Sequence, residues 1–380
     1  MVRRLGIIVN PIAGMGGRVG LKGTDGAEIL ERARVLGAKP EAAARCLRAL
    51  HALRRLPLPP GWEALAGPGI MGADVAAAAG LDARVIGSGA STAEDTRDAA
   101  ARMAEAGADL ILFAGGDGTA RDVVAAVGLA VPILGVPTGV KMQSGVFATS
   151  PEAAGAVAAA FLQSTSGLQA TPGRVRLREA EVMDLDEAAC REGRVVARLF
   201  GTAMVPEIGH GLQSAKAPAM PDDEDALDAL ARRLAREWPT DRLLVLGCGT
   251  TTRRIKRAMG FDGSLLGVDA VLGGRAVALD MSEQGLLDQM QAHPNAAILV
   301  SPTGGQGFVF GRGNQQISAE AIRRCGRANI LVVAGARKLL GLAPCELHVD
   351  TGDRAVDAML AGHIAVHTAP GRQMMMKLVT

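Results

Sequence analysis

The sequence predicts an α/β fold in two parts: an N-terminal doubly wound domain built on a parallel sheet, then a C-terminal β-rich domain. Three observations lead to this prediction. Short apolar runs alternate with Ala-rich stretches of helical spacing, Gly-rich turns follow several of these runs, and charged residues enter the later strand-like segments. Strands that alternate with helices indicate βαβ units, which form a parallel sheet with helices on both faces.

The N-terminal elements follow from the apolar runs and from the residues that interrupt them. Residues 5–9 form the first run, and Pro11 and Gly14 prevent the predicted strand from continuing. Ser91 or Thr92 supplies the cap of a helix that stops at Gly107. The predicted elements are strand 5–9, helices 28–36 and 40–53, strand 62–66, helix 73–79, strand 83–86, helix 92–106, strand 109–114, a helix through 127 and a strand from 131 to 136.

The C-terminal part has a different character. Strands are predicted at 174–183 and 194–203, with charged positions that suit a sheet with one wet face. A helix ending near Trp238 follows. Further short apolar runs lie at 243–246, 276–279, 297–300, 330–333 and 347–349. We therefore predict an N-terminal domain over 1–165 and a C-terminal domain over 166–380, leaving open whether residues 353–380 return to the first domain.

Composition excludes several classes of function. Aromatic residues make up 2% of the 380 residues, so stacking platforms for single-stranded nucleic acid are not expected. No apolar run approaches the ~18 residues of a membrane span, and the formal net charge is only +2. The five cysteines form no C-x-x-C pair, so neither a zinc site nor a disulfide framework is predicted. We expect a cytoplasmic protein that binds a small molecule, without nucleic-acid or membrane partners.

The turn Gly115-Gly116-Asp117-Gly118-Thr119 lies between an apolar strand and a helix. Glycines let the backbone approach a ligand closely, and the free amides at the start of a helix favour phosphate. Thr119 can cap the helix or bond a phosphate oxygen. Asp117 is unexpected in an anion-binding loop unless it binds a metal or meets a substrate hydroxyl. The alternative is a tight βα turn in which Asp117 is the helix cap.

Three other segments also follow predicted strands. Asn10 begins Asn10-Pro11-Ile12-Ala13-Gly14 and either bonds a phosphate or ribose or caps a turn. The segment Pro137-Thr138-Gly139-Val140-Lys141-Met142 offers Lys141 as the best cation near the site. The third segment is Ser301-Pro302-Thr303-Gly304-Gly305-Gln306-Gly307. Because ligand sites of parallel sheets lie at the carboxyl ends of strands, each of these segments is a candidate for ligand binding.

Taken together, the segments resemble a known family. Gly115–Thr119 after an apolar strand resembles the signature of the NAD kinase, diacylglycerol kinase and phosphofructokinase superfamily. The order and spacing of this turn, the segment 137–142 and the segment 301–307 are similar to the ATP-NAD kinase family, in the branch that includes the acetoin-catabolism protein X. The segment beginning at Asn10 resembles the N-P-x-x-G segment of lipid and NAD kinases.

The resemblance implies an active site in the cleft between the two domains, with ATP and Mg²⁺, with NAD as the acceptor, and a homo-oligomeric assembly. It makes Asp117 the catalytic carboxylate that acts on the acceptor hydroxyl. It does not identify the metal ligands. The residues predicted to bind nucleotide or phosphate are Asn10, Gly115, Gly116, Gly118, Thr119, Thr138, Gly139, Lys141, Thr303, Gly304, Gly305 and Gln306.

This sequence departs from the family pattern at two places, and the departures leave alternatives open. It contains no Asn-Asn-Glu tripeptide. The nearest acidic cluster is residues 184–187, and two interpretations of it stay open. It either has a role at the site, where it lines a cleft or chelates Mg²⁺, or is a solvated strand end. Gly305-Gln306 replaces the usual Ser-Thr, and no Tyr follows. The leading hypothesis is a kinase acting on NAD, a related nucleotide or a small polar metabolite. The alternatives are a lipid or other alcohol kinase and a non-catalytic nucleotide-binding regulator.

Overall fold

The computed structural model describes residues 2–21, 27–89, 91–138, 142–164, 175–185, 197–207, 223–342 and 344–380. Contacts between Cα atoms divide these residues into two compact units. The first unit holds the described residues of Met1–Met15, Lys39–Asp186 and Val196–Ala215. The second unit holds those of Gly16–Ala38 and Lys216–Thr380.

The first unit is built on a five-stranded sheet. Its strands are β1 (Arg4–Val9), β2 (Glu63–Ala66), β3 (Ala83–Val85), β4 (Leu110–Gly115) and β5 (Ile133–Pro137). They lie in the order β3-β2-β1-β4-β5, and every neighbouring pair is parallel. Helix α1 (Ala27–Val35) belongs to the second unit, and the helices of the first unit are α2 (Ala42–Arg54), α3 (Ala73–Ala78), α4 (Ala93–Glu105), α5 (Asp117–Val127) and α6 (Pro151–Gln163).

Helices cover both faces of this sheet. Successive strand residues point to opposite faces, and in β1 Ile7 packs in one core with residues of α2 and α6. Ile8, the next residue, packs in a second core with residues of α4 and α5. Burial on both faces explains why the strands are nearly continuous apolar runs. The prediction of a doubly wound parallel sheet is confirmed.

An antiparallel hairpin completes the first unit. It consists of β6 (Arg176–Leu185) and β7 (Ala197–Glu207). Exposed Glu179 and Glu181 alternate with buried Ala180 and Val182, as expected of a hairpin with one wet face. Its buried residues join the core that contains Ile8, which explains why contacts group the hairpin with the first unit. The boundary predicted from the sequence, after residue 165, lies before the hairpin instead.

The second unit contains a nine-stranded mixed sheet. Its strands are β8 (Leu243–Leu246), β9 (Val268–Leu272), β10 (Arg275–Met281), β11 (Ala296–Val300), β12 (Phe308–Phe310), β13 (Ile330–Val333), β14 (Glu346–Val349), β15 (Gly362–Ala369) and β16 (Arg372–Val379). They lie in the order β10-β9-β8-β11-β13-β15-β16-β14-β12. Besides α1, its helices are α7 (Glu224–Glu237), α8 (Thr250–Ala258), α9 (Glu283–Ala292), α10 (Ala319–Cys325), α11 (Ala336–Leu340) and α12 (Arg354–Leu360).

The centre of this sheet is parallel. Strands β8, β11, β13 and β15 are consecutive parallel neighbours. Val245 of β8 packs in a core with residues of α9 and α10, while the adjacent Leu246 packs in another core with residues of α7 and α8. The prediction of a β-rich C-terminal domain is confirmed, and helices lie against both faces of its parallel strands.

A buried ion pair lies inside the second unit. Lys256 of α8 and Asp269 of β9 are both fully buried, and Lys256 Nζ lies 2.9 Å from Asp269 Oδ2. The ammonium also donates to the carbonyl oxygens of Ser264 at 2.8 Å and Gly267 at 3.2 Å. Asp269 accepts from the backbone amides of Ser264 and Asp280 and from the Ser264 hydroxyl. The pair therefore ties the segment between α8 and β9 to the sheet.

Among the described residues, no helix is long and apolar enough to cross a membrane.

Candidate active site

The strand order of the first unit identifies where a ligand binds. From β1 the chain moves outwards to β2 and β3 on one side, and then crosses to β4 and β5 on the other side. The order reverses between β1 and β4, which are neighbours in the sheet. In open α/β sheets, ligands bind at the carboxyl ends of the strands beside such a reversal. The segments that follow these two strands are residues 10–14 and the Gly-rich turn 115–119.

The Gly-rich turn joins β4 directly to α5. Gly116 is the N-cap of α5 and has no side chain to bond the first amides of the helix. A Cβ at Gly115 would lie 2.3 Å from Thr119 Oγ1, so this position requires glycine. Helix-start amides without a side-chain cap, together with the helix dipole, favour a bound anion. Asp117 is the first residue of α5 and is not its cap, so the alternative of an Asp-capped turn is wrong.

Asp117 is buried at the start of α5, with 6% of its surface exposed. Its Oδ2 accepts a hydrogen bond from the Gln143 amide at 2.6 Å. Its Oδ1 accepts from the Ser144 amide at 3.0 Å and from the Ser144 hydroxyl at 2.6 Å. These donors compensate the burial of a carboxylate and fix its orientation. Gln143 and Ser144 are not among the predicted site residues, because neither belongs to a recognisable motif.

Asn10 links the end of β1 to the Gly-rich turn. Its Nδ2 donates to Thr119 Oγ1 at 2.9 Å. Its Oδ1 accepts from the Ile12 amide at 3.2 Å, and this bond caps the turn that follows β1. Asn10 and Thr119, two predicted site residues separated by more than a hundred positions, are therefore direct partners.

Thr138 lies between the same two segments. Its amide donates to the carbonyl oxygen of Gly115 at 3.1 Å, and a Cβ on Gly14 would lie 2.1 Å from the Thr138 carbonyl oxygen. The Thr138 side chain is 5% exposed, and its Oγ1 has no hydrogen-bond partner among the described residues. Buried hydroxyls are nearly always bonded, so one without a partner at a strand end points to a ligand.

The close approach of Gly14 to Thr138 leads to a stability prediction. We expect Gly14→Ala to destabilise the protein by more than the ~1 kcal/mol of a left-handed backbone alone, because the new Cβ also meets backbone at 2.1 Å. Urea unfolding measures the difference. Gly37→Ala is the matched control, since Gly37 has a similar φ of +81° with nothing within 4 Å of its Cβ. Equal losses for the two variants would contradict the tight contact.

Gly139 and Lys141, both predicted to bind phosphate, lie outside the described residues. A different cation lies beside the segment that contains them. Arg45 of α2 donates from Nε to the carbonyl oxygen of Pro137 at 2.6 Å. Arg45 was not singled out because it lies in an Ala-rich helix 92 positions away from this partner, without a motif around it.

The predicted residues of the segment 301–307 lie in the second unit, after β11. Thr303 donates through its amide to the carbonyl oxygen of Phe308 at 2.8 Å, and its own carbonyl oxygen accepts from the Gln306 and Gly307 amides. Gly304 lies inside this turn, and Gly305 has a φ of +73°. Lys338 of α11 donates to the Ser301 hydroxyl at 3.2 Å. The turn is thus closed by its own backbone, with a cation bonded at its first residue.

The described residues contain no group of three or more His, Cys, Asp or Glu side chains that could hold a metal ion. Mg²⁺ commonly binds through one or two carboxylates together with substrate phosphates. A carboxylate beside an anion-binding turn is compatible with that mode, in which the ion arrives with the nucleotide. In the acidic cluster 184–187, residues 186 and 187 lie outside the described residues, as does the side chain of Asp184.

Fold and site together define a two-part α/β protein with a Gly-rich turn and a buried carboxylate at its strand reversal. The family model of the ATP-NAD kinase N-terminal domain matches residues 5–165, and that of the ATP-NAD kinase C-terminal domain matches residues 241–378. The matches cover more than half of the chain, and the chain therefore belongs to the ATP-NAD kinase family. No curated protein matched the sequence. Membership indicates an ATP-dependent kinase that acts on NAD or a related substrate, while the acetoin-catabolism branch stays a prediction.

Proposed function

We propose that the protein transfers the γ-phosphoryl group of ATP to a hydroxyl of NAD or of a closely related nucleotide, with Asp117 as its catalytic carboxylate. The observation that carries this proposal is the buried Asp117 at the first position of α5, inside a turn that otherwise suits an anion. A phosphotransferase needs a carboxylate beside the acceptor hydroxyl, and Asp117 places one inside the turn that suits the phosphates.

Different residues of the first unit bind the phosphates and accept the proton. The amides at the start of α5 and the glycines of the turn bind phosphate oxygens, and Thr138 Oγ1 donates to the same ligand. The acceptor oxygen attacks the γ-phosphorus, the bond between that phosphorus and the ADP oxygen breaks, and the hydroxyl proton passes to Asp117. Phosphoryl transfer depends mainly on positioning and charge neutralisation, which this arrangement supplies.

A divalent cation belongs to the proposed reaction, because the family uses one together with ATP. Mg²⁺ supplies neutralisation of the phosphate charge that develops during transfer. Asp117 supplies a carboxylate within the anion-binding turn itself, and we propose that it faces the ion or the acceptor hydroxyl. The contributions of this chain are to bind the phosphates and to hold that carboxylate.

In the second unit, we propose that Thr303, Gly304, Gly305 and Gln306 contact the nucleotide. The Gln306 amide side chain offers both a donor and an acceptor where the family usually has a hydroxyl. This change and the missing Asn-Asn-Glu tripeptide concern which acceptor molecule binds, and not the phosphoryl-transfer step itself. Homo-oligomeric assembly and a cytoplasmic location stay predictions from the sequence.

The proposal is tested by measuring ATP consumption with Mg²⁺ against NAD, NADH, nucleosides, small polyols and a detergent-solubilised diacylglycerol. We expect turnover with NAD or another nucleotide. Turnover only with the lipid would favour a lipid kinase. Tight ATP binding without turnover on any acceptor would favour a nucleotide-binding regulator, and either result would overturn the proposal.

A further inference from the structure

Ser144 lies in the segment after β5 and has 0% of its surface exposed. Its hydroxyl donates to Asp117 Oδ1 at 2.6 Å, and its amide donates to the same oxygen at 3.0 Å. The same hydroxyl oxygen accepts a hydrogen bond from the Met183 amide at 2.9 Å. Ser144 therefore contacts the candidate catalytic carboxylate on one side and strand β6 of the hairpin on the other.

These bonds determine the direction of the Ser144 hydroxyl. A backbone amide only donates, so the Met183 N–H takes a lone pair of Ser144 Oγ and leaves its single hydrogen for Asp117. The Gln143 amide holds the other carboxylate oxygen at 2.6 Å. With both oxygens bonded, the plane of the carboxylate is fixed relative to the start of α5. The hairpin residues Ala180 and Val182 are buried in the core of the same unit, so the support behind Ser144 is rigid.

We propose that Ser144 is a positioning residue that holds the Asp117 carboxylate in the orientation that receives the acceptor hydroxyl. This rests on the proposed function, because it gives Ser144 a part in the same phosphoryl transfer. Ser144 acts through Asp117, because its amide and its hydroxyl both donate to that carboxylate. A misplacement of a reacting group by about 1 Å costs up to about 10²-fold in rate. Loss of the hydroxyl is therefore expected to lower kcat and to leave the KM for ATP nearly unchanged.

The first test compares kinetic constants of three variants. Ser144→Ala should lower kcat about 10- to 100-fold and change the KM for ATP by less than about threefold. Ser144→Cys keeps the shape and a weaker donor, so its kcat should lie between those of Ser144→Ala and wild type. Ser150→Ala is the matched control: it removes a serine hydroxyl that caps α6 through the Ala153 amide, and it should leave both constants unchanged.

The second test separates positioning from general stability. In an Asp117→Asn background, Ser144→Ala should cause no further loss of kcat, because its effect passes through the carboxylate. A loss that persists in that background would overturn the positioning role. A wild-type kcat in Ser144→Ala would also overturn it, provided that Asp117→Asn shows its expected loss of rate. If the Ala variant fails to fold, a wild-type kcat in Ser144→Cys would count in the same way. Absence of turnover by the wild type itself would instead overturn the proposed function, and the role of Ser144 with it.

Discussion

Replacing Asp117 with Asn is expected to lower kcat for phosphoryl transfer by about 10²- to 10⁴-fold, the range typical of a lost general base. The substitution removes the negative charge and the site that accepts the hydroxyl proton. ATP affinity should stay within a few-fold of wild type, because glycine and helix amides bind the phosphates. Steady-state kinetics with the preferred acceptor and calorimetric titration of ATP measure the two quantities separately.

The Asn variant also places an amide N–H group opposite the donors that face Asp117. We expect this conflict to reduce the free energy of unfolding by about 1–3 kcal/mol, so rates must be compared below the melting temperature of the variant. Asp122→Asn is the matched control, since Asp122 lies on the same helix with 7% exposure and pairs with Arg97. It should retain the wild-type rate. Near-normal turnover by Asp117→Asn would show that another group accepts the proton.

The second large effect concerns the Lys256–Asp269 pair. Asp269→Asn is expected to lower the free energy of unfolding by about 3–5 kcal/mol, because it leaves a buried ammonium without its counter-charge. Burial lowers the pKa of Lys256, while Asp269 raises it. In the variant the effect of Asp269 is lost, so the folded state binds the Lys256 proton less tightly than the unfolded chain does. The free energy of unfolding therefore rises with pH towards about 10. Urea unfolding at several pH values measures both effects.

An exposed ion pair on the same helix provides the control for this prediction. Asp262 pairs with Arg253 and Arg257 of α8, and its side chain is 64% exposed. Exposed pairs are screened by water and stabilise little, so Asp262→Asn should cause a much smaller change than Asp269→Asn. Equal changes for the two variants would mean that the buried pair is not the stabilising contact that its geometry indicates.

Much of the fold was predictable because local signals and tertiary structure agree. Thr92 caps α4 with a capping box, as its position before a helical pattern indicates. Helix α6 was not predicted, although Ser150 and Pro151 are ordinary start signals. That helix is buried over most of its surface, so its apolar residues show no helical stripe. A Cβ on its Gly155 would lie 2.1 Å from the Ala49 carbonyl oxygen, a close approach that only the packed structure reveals.

The candidate site was predictable where glycine and strand ends mark it, and not where it depends on long-range contacts. The turn that contains Asp117 and the segments of Asn10 and Thr138 follow strands, so the sheet brings them together. Ser144 and Arg45 have no local signature. Their partners lie 27 and 92 positions away, and ordinary Ser and Arg residues acquire these roles only through the fold. The hairpin was assigned to the second domain because its core partners in the first unit are distant in sequence.

The most direct test of the proposed reaction follows the transferred group. The protein is incubated with Mg²⁺, NAD and ATP that carries an isotopic label in the γ-phosphate, and the products are separated and analysed by mass spectrometry. The proposal predicts that the label appears on NAD, bound to one of its hydroxyl oxygens, and that Asp117→Asn slows the formation of this product about 10²- to 10⁴-fold. Label that stays in ATP, or that is released only as inorganic phosphate, would contradict phosphoryl transfer to NAD.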